Sequence, residues 1–262
     1  MEPAFIIAEI GSNLFKFNDP SLDLDCAREQ IYRAAAAGAD AVKFQLFTAA
    51  ELWGPEAYGT PAALELDRFA LPREWLEILQ DHCEQNGIQF LCSAFSVDGY
   101  KAVDPHVEMH KIASPEVTDP QIREYVISTG KPFLWSDGCS TALDGKGIRL
   151  ACVSKYPAYE GEYVLSDPAY TGIWGLSDHT KSTGVATEAR KAGARYFEKH
   201  VDFCKSVGQS TPDTLVSVDG DFFKRWVDLI RIIGADDPQR AEAAMKYSRV
   251  EKNGVYYRPF PG

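Results

Sequence analysis

The sequence lacks the features that define membrane, nucleic-acid-binding or disulfide-rich proteins. No stretch approaches the roughly 18 uncharged residues that a membrane span needs, and the N-terminal apolar run stops at Glu9 with no basic leader before it. Basic residues are in deficit: 27 Lys and Arg stand against 38 Asp and Glu, and the net charge of −11 argues against a nucleic acid or an anionic membrane as partner. The six cysteines form no C-x-x-C pair, so we expect reduced thiols and a cytoplasmic location.

The chain also lacks any sign of subdivision. It contains no low-complexity tract, no block of like charges, no Gly/Ser linker and no repeat at solenoid spacing. Its 45% hydrophobic and 25% charged residues are typical of a folded globular protein. We therefore expect one domain spanning residues 1–262.

Short apolar runs alternate with amphipathic segments along the chain. The amphipathic segments predict helices over 22–37, 72–86, 119–128, 182–192 and 219–233. Strands that alternate with helices pair in parallel through right-handed crossovers, and eight such units in about 250 residues are the size of a (β/α)8 barrel. We predict an α/β fold of the TIM-barrel type, with a doubly wound open sheet as the alternative. The eight predicted strands are 5–10, 41–47, 89–93, 109–112, 132–136, 148–153, 172–177 and 196–200.

The connection between the predicted fifth and sixth strands is too short for an ordinary helix. It runs from Asp137 to Gly147, and a loop, a helix and a return loop need at least about 10–12 residues. We expect the fifth helix to be missing or reduced to one turn. Such a gap would expose apolar barrel surface, which a partner or a second copy tends to cover.

Polar side chains gather where the predicted strands end, and in a TIM barrel these ends form the mouth that carries the active site. Lys43 and Lys111 lie inside apolar strands, where a lysine needs a partner. Two lysines among several hydroxyls favour an anionic, phosphorylated ligand. The alternative is that each lysine neutralises a barrel carboxylate such as Glu9 or Glu198. The residues at the strand ends are Glu9, Ser12 and Asn13; Lys43 and Gln45; Ser93; Lys111 and Ser114; Ser136 and Asp137; Ser154 and Tyr156; Ser177, Asp178 and His179; and Glu198, Lys199 and His200.

Two histidines end neighbouring strands. His179 and His200 are therefore expected to bring their imidazoles together and to bind one divalent ion, in a mouth also lined by Glu9 and Asp213. Imidazole, carboxylate and water without thiolate suit manganese or a similar ion better than a structural zinc.

Two other features have ordinary interpretations. Cys92 and Cys152 lie within strands with no evident adjacent base, so we expect small apolar core residues rather than nucleophiles. The segment 58–69 has no clean period, and it is either a lid over the second strand–helix loop or, the interpretation we favour, a surface excursion.

Seven runs occur in order along the chain: FIIAEIGSN (5–13), AGADAVKFQLF (37–47), HKIAS (110–114), TGKPFLWSDGCS (129–140), CVSKYPA (152–158), GLSDHT (175–180) and EKHV (198–201). Together they resemble the N-acetylneuraminate (sialic acid) synthase family, and the pair GLSDHT and EKH is the specific part. Members of this family condense phosphoenolpyruvate with a sugar aldehyde to form a nine-carbon 2-keto acid. The resemblance implies the same barrel and, by family expectation, a homodimer.

The resemblance also implies residue roles. Glu9 and Asp213 match acidic residues near the acceptor and the attacking water, and either is a natural general base. His179 and His200 match the ligands of a divalent metal, usually Mn2+, with Mg2+ or Co2+ as alternatives. Positions that match those holding the phosphate and carboxylate of phosphoenolpyruvate are Lys43, Lys111, Ser114, Ser136, Tyr156 and Ser177, with Ser154 standing in the same region where the family has a small amide.

Three departures from the family pattern concern the acceptor side and the phosphate loop. Leu14 replaces a histidine in the loop after the first strand. In the family this loop helps to define the acceptor pocket, and here residues 14–17 make it bulky and apolar. Asp137 stands where a threonine is usual, and it would repel phosphate unless a cation intervenes or it points away. Family members commonly carry a C-terminal antifreeze-like domain, whereas this chain ends at Gly262, which predicts the barrel domain alone.

These observations favour an enzyme, a metal-dependent synthase that joins phosphoenolpyruvate to an aldehyde acceptor and releases phosphate. The first alternative is a metal-dependent aldolase that uses pyruvate or another keto acid. The second is a non-catalytic barrel that binds a metabolite.

Overall fold

The computed structural model describes residues 3–140, 143, 145–165 and 172–233, together with two short strands near the C-terminus. The eight predicted strands are all present. They pair in parallel in the order β3-β2-β1-β8-β7-β6-β5-β4, so the sheet curls into a nearly closed barrel and the predicted (β/α)8 fold is confirmed. The strands are β1 (Phe5–Glu9), β2 (Ala41–Leu46), β3 (Gln89–Ala94), β4 (His110–Ile112), β5 (Phe133–Ser136), β6 (Ile148–Cys152), β7 (Trp174–Asp178) and β8 (Tyr196–Asp202).

The helices include the five that were predicted and three that were not. The short helices α2, α3 and α5 were missed because five to seven residues are too few to show a helical period. Their starts are set by the side-chain caps Thr48, Thr60 and Ser96. Within the described residues, no helix is both long and apolar enough to cross a membrane. The helices are α1 (Pro20–Ala36), α2 (Ala49–Trp53), α3 (Pro61–Asp67), α4 (Trp75–Gln85), α5 (Val97–Val103), α6 (Pro120–Ser128), α7 (Gly184–Lys191) and α8 (Gly220–Ile233).

Three further short strands are present among the described residues. β9 (Val218–Asp219) pairs with β8, and β10 (Val250–Lys252) pairs antiparallel with β11 (Val255–Tyr257). The prediction of one domain over 1–262 reaches beyond the described residues and stays a prediction.

Alternation along the strands sorts side chains between the barrel interior and the outer core, because successive residues of a strand point to opposite faces. An apolar layer fills the interior near the strand starts. It consists of Ile7, Ala41, Leu91, Met109, Leu134 and Leu150. Two residues further along the same strands come Glu9, Lys43, Ser93, Lys111, Ser136 and Cys152. The barrel therefore has an apolar plug with a polar layer directly above it.

The seam between β3 and β4, the two ends of the hydrogen-bonded order, is held by side chains. Ser93 Oγ donates to the carbonyl oxygen of Lys111 at 3.0 Å, and Tyr100 Oη donates to the same oxygen at 2.8 Å. All three residues are buried. These bonds satisfy the Lys111 carbonyl group and fix the backbone that carries its ammonium group.

No helix is present between β5 and β6 within the described part of that connection, as the spacing predicted. The expectation of exposed apolar surface there was wrong, because the loop itself covers the gap. Trp135 is fully buried and donates its indole N–H to the carbonyl oxygen of Lys146 at 2.9 Å, and Leu143 is also buried. Between β6 and β7, the described residues form only a 3-10 turn at Glu160–Glu162.

Gly175 marks a close approach between strands inside this barrel. A Cβ atom added at this position would lie 2.7 Å from Leu150 Cδ2 and 2.7 Å from Tyr196 Cβ, and closer still to the Tyr196 carbonyl oxygen. We expect Gly175→Ala to lower the free energy of unfolding by about 1–3 kcal/mol, measured by thermal and denaturant unfolding. Gly161→Ala is the matched control, since nothing lies within 4 Å of its added Cβ. Equal stability of the two variants would contradict this account of the packing.

Candidate active site

A cavity of about 240 Å³ opens above the apolar plug at the C-terminal ends of the strands. Of the eleven residues to which the family resemblance assigned a role, two do not line it. Glu9 is fully buried behind the cavity, and Ser154 lies on an exposed loop with its Oγ 3.4 Å from Cys139 Sγ. The other nine all line this cavity: Lys43, Lys111, Ser114, Ser136, Tyr156, Ser177, His179, His200 and Asp213.

Lys43 is held by barrel carboxylates. Its Nζ lies 2.6 Å from Glu9 Oε2 and 3.7 Å from Glu198 Oε2, and strand pairing sets Lys43 beside Glu9. Burial disfavours the ammonium form, but the two carboxylates outweigh it and raise the pKa of Lys43. Lys43 therefore stays charged, and for this lysine the carboxylate-neutralising alternative describes the geometry.

Lys111 has a looser carboxylate contact. Its Nζ donates to Ser136 Oγ at 2.8 Å and to the carbonyl oxygen of Ile112 at 3.1 Å, whereas Glu198 Oε1 is 3.6 Å away. Burial lowers the pKa of Lys111, and Glu198 only partly offsets that effect. The Lys111 ammonium is the group in this layer best placed to gain from an incoming anion.

The two carboxylates of the layer differ in charge. Burial opposes ionisation of Glu198, yet Lys111 and Lys43 outweigh it, and the pKa of Glu198 is about 2. Burial dominates at Glu9 despite Lys43, and it raises the pKa of that carboxyl from 4.5 to about 7. Near neutral pH the layer thus contains the charged side chains of Lys43 and Glu198 and a Glu9 carboxyl that is only partly ionised, whereas burial disfavours the charged form of Lys111.

The raised pKa of Glu9 predicts a pH-dependent stability. The folded state binds this proton more tightly than the unfolded chain, so the contribution of Glu9 to stability is complete below about pH 4.5 and is lost as the pH rises through about 7. We expect the melting temperature of the wild type, relative to Glu9→Gln, to fall between pH 5 and pH 8. Glu162→Gln should give a flat difference over that range, because Glu162 is exposed and its pKa is lowered. If the difference in melting temperature between the wild type and Glu9→Gln does not change with pH, Glu9 keeps an ordinary pKa.

The two imidazoles meet as the sequence predicted. The ring centroids of His179 and His200 are 5.5 Å apart, and Tyr156 stacks on His179 at 4.4 Å. His179 Nδ1 lies 2.7 Å from the carbonyl oxygen of Val153, to which it donates; burial lowers the pKa of His179, but Cys152 and this carbonyl group outweigh burial and raise it. His200 is buried, which lowers its pKa to about 3 and keeps it neutral, as metal ligation requires.

The donor set fits a divalent ion in part. His200 Nδ1 is buried without a hydrogen-bond partner, and its nearest acid is Asp213 Oδ1 at 3.5 Å. In the part of the chain that the structure describes, no group of three or more His, Cys, Asp or Glu side chains forms a complete metal site. An ion here would have two imidazole ligands and would take its remaining ligands from water or substrate.

Asp213 is oriented by the loop after β1. Its Oδ2 accepts hydrogen bonds from the backbone N–H and the hydroxyl of Ser12, both at 2.7 Å. Its Oδ1 is left on the side of His200. Asp213 lines the cavity, whereas Glu9 contacts Lys43 and Gln45 behind it, with Gln45 Nε2 donating to Glu9 Oε1 at 2.7 Å.

Asp137 does not face the cavity, although its place in the phosphate loop of the family pattern predicted that its carboxylate could repel a bound phosphate. Its Oδ2 accepts from Arg149 Nε at 2.7 Å, and its Oδ1 accepts from the backbone N–H of Cys152 at 2.8 Å. A cation therefore neutralises Asp137, and the carboxylate is turned toward β6. The predicted repulsion of phosphate is absent from this geometry.

Two expectations about apolar and thiol residues were wrong. Leu14 and Phe15 are buried in the outer core, where Phe15 stacks on Trp75, so the loop after β1 offers no apolar acceptor pocket. Cys152 lines the cavity, with its Sγ 4.0 Å from His179 Nδ1, and is therefore not a core residue. Cys92 is fully buried in the core as predicted.

Sequence reasoning missed the apolar part of the lining. We call the apolar wall the four side chains Phe47, Leu52, Leu66 and Phe95, all of which line the cavity. Leu52 lies on α2 and Leu66 on α3, so the segment 58–69 takes part in the mouth and does not merely loop over the surface. The sequence does show apolar residues after the ends of β2 and β3. It does not show whether their side chains point into the cavity or away from it.

Comparisons with known proteins agree with this architecture. Residues 30–237 match the NeuB family. The chain is 32% identical over 261 residues to the spore coat polysaccharide biosynthesis protein SpsE of Bacillus subtilis, covering 87% of this chain and 67% of that protein. It is 30% identical over 293 residues to the N,N'-diacetyllegionaminic acid synthase of Legionella pneumophila, covering 97% and 80%.

A solved structure shows the same fold. The N-acetylneuraminic acid (sialic acid) synthetase of Leptospira borgpetersenii, crystallised with citrate, superposes with a TM-score of 0.76 at 27% identity, covering 93% of this chain and 90% of that one. The resemblance predicted from the seven sequence runs is confirmed. Two of these relatives are named as a synthase and a synthetase, and this chain is an enzyme that belongs to the NeuB family.

Proposed function

We propose that this protein is a metal-dependent synthase that condenses phosphoenolpyruvate with a sugar-like aldehyde, forms a 2-keto acid and releases phosphate. The observation that carries the proposal is the shared cavity. Two lysines, four serine hydroxyls, two imidazoles and the oriented Asp213 carboxylate line one space of about 240 Å³. Binding groups for an anion, a divalent ion and a water thus lie within reach of one another.

The donor half rests on the polar layer. Phosphoenolpyruvate carries a phosphate and a carboxylate, which suit charge-assisted hydrogen bonds from Lys111 and Lys43 and hydrogen bonds from Ser136, Ser177 and Ser114. Glu198 lies between the two ammonium groups and keeps both in place when the donor is absent. Holding the donor in one orientation places its C3 atom for attack and supplies part of the rate enhancement.

The metal half rests on His179 and His200, which would hold Mn2+ or a similar divalent ion. When bound, such an ion supplies Lewis-acid polarisation of the acceptor aldehyde. C3 of the donor then attacks the aldehyde carbon, and water adds at C2 of the resulting cation. The tetrahedral intermediate loses phosphate by cleavage of its C–O bond, which leaves the 2-keto acid.

Asp213 is the residue we assign as general base for that water. It lines the cavity, and Ser12 fixes one of its oxygens so that the other remains beside His200. Glu9 is sealed behind Lys43 and Gln45, so we assign it the role of positioning these two side chains. A homodimer and a cytoplasmic location remain predictions.

The alternatives are weaker in this geometry. The aldolase hypothesis was favoured because Asp137 was expected to repel phosphate. Asp137 instead pairs with Arg149 away from the cavity, so it does not keep a phosphate out of the anion site. A non-catalytic barrel would have no need for a buried unpartnered imidazole beside an oriented carboxylate.

Calorimetric titration tests the metal and donor together. We expect Mn2+ to bind the wild type and phosphoenolpyruvate to bind the Mn2+-loaded protein. His179→Phe keeps the ring that stacks on Tyr156 but removes both nitrogens, so we expect Mn2+ affinity to fall by more than the 10–100-fold typical of losing an outer-shell partner. His106→Phe is the control, because His106 bonds Gln80 away from the cavity. Equal Mn2+ binding by both variants would refute the metal assignment.

A further inference from the structure

Two buried charges outside the cavity take no part in the proposed chemistry. Lys199 and Asp178 are each 1% exposed, and Lys199 Nζ lies 2.8 Å from Asp178 Oδ2. Replacing such a buried ion pair by uncharged residues is often neutral for stability or even stabilising, because both charges had to be desolvated. Stability alone therefore gives only a weak reason for two charges at this place.

This ion pair joins the two strands that carry the imidazoles. Asp178 and Lys199 are the last pair of the β7–β8 ladder, and the residues that follow them are His179 and His200. Because side chains alternate along a strand, the pair points outward where the imidazoles face the cavity. His200 lies within β8 and has Glu9 of β1 as its register partner, whereas His179 lies one residue beyond the end of β7. The position of His179 therefore depends on side-chain hydrogen bonds more than on the ladder.

Lys199 bonds the residues on both sides of His179. Its Nζ donates to Asp178 Oδ2 and, at 2.7 Å, to the carbonyl oxygen of Thr180. Asp178 Oδ1 accepts from the backbone N–H of Thr180 at 2.9 Å and from the Thr180 hydroxyl at 2.7 Å. We call these bonds among Lys199, Asp178 and Thr180 the Lys199 clamp. Because Lys199 directly precedes His200, the clamp ties the position of one imidazole to that of the other.

Helix α8 holds the Lys199 clamp in place. Trp226 of this helix is fully buried and donates its indole N–H to Asp178 Oδ2 at 3.2 Å. Lys199 Nζ lies 5.5 Å from the centroid of the Trp226 ring, a cation–π contact. Thr180 is also buried, so all three clamp residues are shielded from water, where hydrogen bonds are stronger than at the surface.

We infer that Lys199 is a positioning residue for the metal centre, and that the Lys199 clamp holds His179 where it and His200 can bind one divalent ion. This inference rests on the proposed function, which assigns the ion to these imidazoles. Lys199 and Asp178 lie outside the residues that line the cavity, so they act through His179 and not on the substrate. Groups that orient metal ligands from outside the ligand set contribute about 10–100-fold to metal affinity.

Calorimetric titration with Mn2+ tests the clamp in a double variant, Lys199→Met with Asp178→Asn. Both residues change together, because Lys199→Met alone would leave a buried carboxylate without its cation. The asparagine keeps an oxygen that accepts from Thr180, so the double variant loses the ammonium bonds but buries no charge. We expect Mn2+ affinity to fall by about 10–100-fold, with unchanged affinity for phosphoenolpyruvate at saturating Mn2+.

Lys16→Met with Asp202→Asn is the matched control. Lys16 and Asp202 form an ion pair that is buried to a similar degree, and Asp202 ends β8. Among the described residues, the side-chain bonds of this pair go to each other and to the backbone N–H of Cys204. The control should keep the Mn2+ affinity of the wild type.

Imidazole 15N NMR of the metal-free protein, which has five histidines, measures the positioning itself. We expect the His179 signals to shift or broaden in the clamp variant, while the His106 signals stay unchanged because His106 bonds Gln80 away from the cavity. Thr180→Val is a milder variant that removes only the hydroxyl bond to Asp178. It should lower Mn2+ affinity in the same direction by a smaller factor.

Two outcomes would overturn the inference: wild-type Mn2+ affinity in both the double variant and Thr180→Val, or an equal loss of affinity in the Lys16 and Asp202 control. Should the double variant fail to fold, Thr180→Val alone decides between these results. Failure of the wild type to bind Mn2+ would instead reject the metal half of the proposed function. The wild-type titration therefore separates a wrong role for Lys199 from a wrong metal site.

Discussion

Lys111→Met should weaken the binding of phosphoenolpyruvate by roughly 100-fold or more. The substitution keeps the length and much of the volume of the side chain but removes the ammonium group that bonds Ser136 Oγ. Losing one partner of a buried charge pair costs about 3–5 kcal/mol, so we expect affinity for phosphoenolpyruvate to fall by roughly 100-fold or more. Calorimetry measures this loss directly and needs no knowledge of the acceptor.

Stability must be separated from binding in the Lys111→Met variant. Glu198 loses one of its two ammonium neighbours, although Lys43 and the hydroxyl of Ser177 remain beside it. We therefore expect a lower melting temperature but a folded protein, to be checked by circular dichroism. Lys155→Met is the matched control, because Lys155 is exposed and bonds Glu162 at 2.6 Å. If Lys111→Met binds phosphoenolpyruvate with an affinity within about threefold of the wild type, Lys111 does not bind the donor and the proposed anion site is wrong.

Asp213→Asn should leave the donor bound but slow the reaction. The amide keeps the shape of the carboxylate and an oxygen that accepts from Ser12, but it cannot take a proton from water. General base catalysis contributes typically 10²–10⁴-fold, so we expect kcat to fall by that factor with unchanged affinity for phosphoenolpyruvate. Steady-state phosphate release and calorimetry measure the two quantities.

A control and a second binding measurement make the Asp213→Asn result specific. Asp221→Asn removes an exposed carboxylate in the first turn of α8, outside the residues that line the cavity, and should retain wild-type kcat. Mn2+ affinity must also be measured, because Asp213 lies beside His200. If kcat is unchanged, or if its loss follows a loss of Mn2+ affinity, Asp213 does not act as the base.

The interior of the barrel was largely predictable from the sequence. Alternation places Met109 and Lys111 on the same face of one strand, and Ile7 and Glu9 on the same face of another, so an apolar layer followed by a charged one can be read from the residues. The parallel order then brings the strand ends to one mouth. For this reason nine of the eleven residues singled out line one cavity.

The sequence offered Glu9 and Glu198 as partners for the barrel lysines, but it did not show which pairs form, because that depends on strand register. Glu9 lies beside Lys43 in the β1–β2 ladder and beside His200 in the β1–β8 ladder, which buries its carboxylate behind the cavity. A strand pattern shows that Glu9 points inward, but it does not show how deep the residue lies or what covers it. The assignment of the base role to Asp213 therefore required the structure.

Loop directions were also beyond the sequence. The apolar residues Leu14 and Phe15 pack into the outer core, whereas Leu52 and Leu66 line the mouth, and both pairs follow strand ends. Side-chain ties such as Glu51 to Ser96 decide which loop faces the cavity. Such ties join residues far apart in the chain and leave no periodic signal.

Phosphate should leave phosphoenolpyruvate only when an aldehyde takes up its carbon skeleton. Phosphoenolpyruvate labelled with 18O at the bridging oxygen distinguishes this coupled release from simple hydrolysis. We expect phosphate to appear only when an aldehyde is present, to carry the label because the C–O bond breaks, and to be matched by one 2-keto acid per phosphate in the mass spectrum. Release of unlabelled phosphate together with free pyruvate, in the absence of any aldehyde, would contradict this expectation.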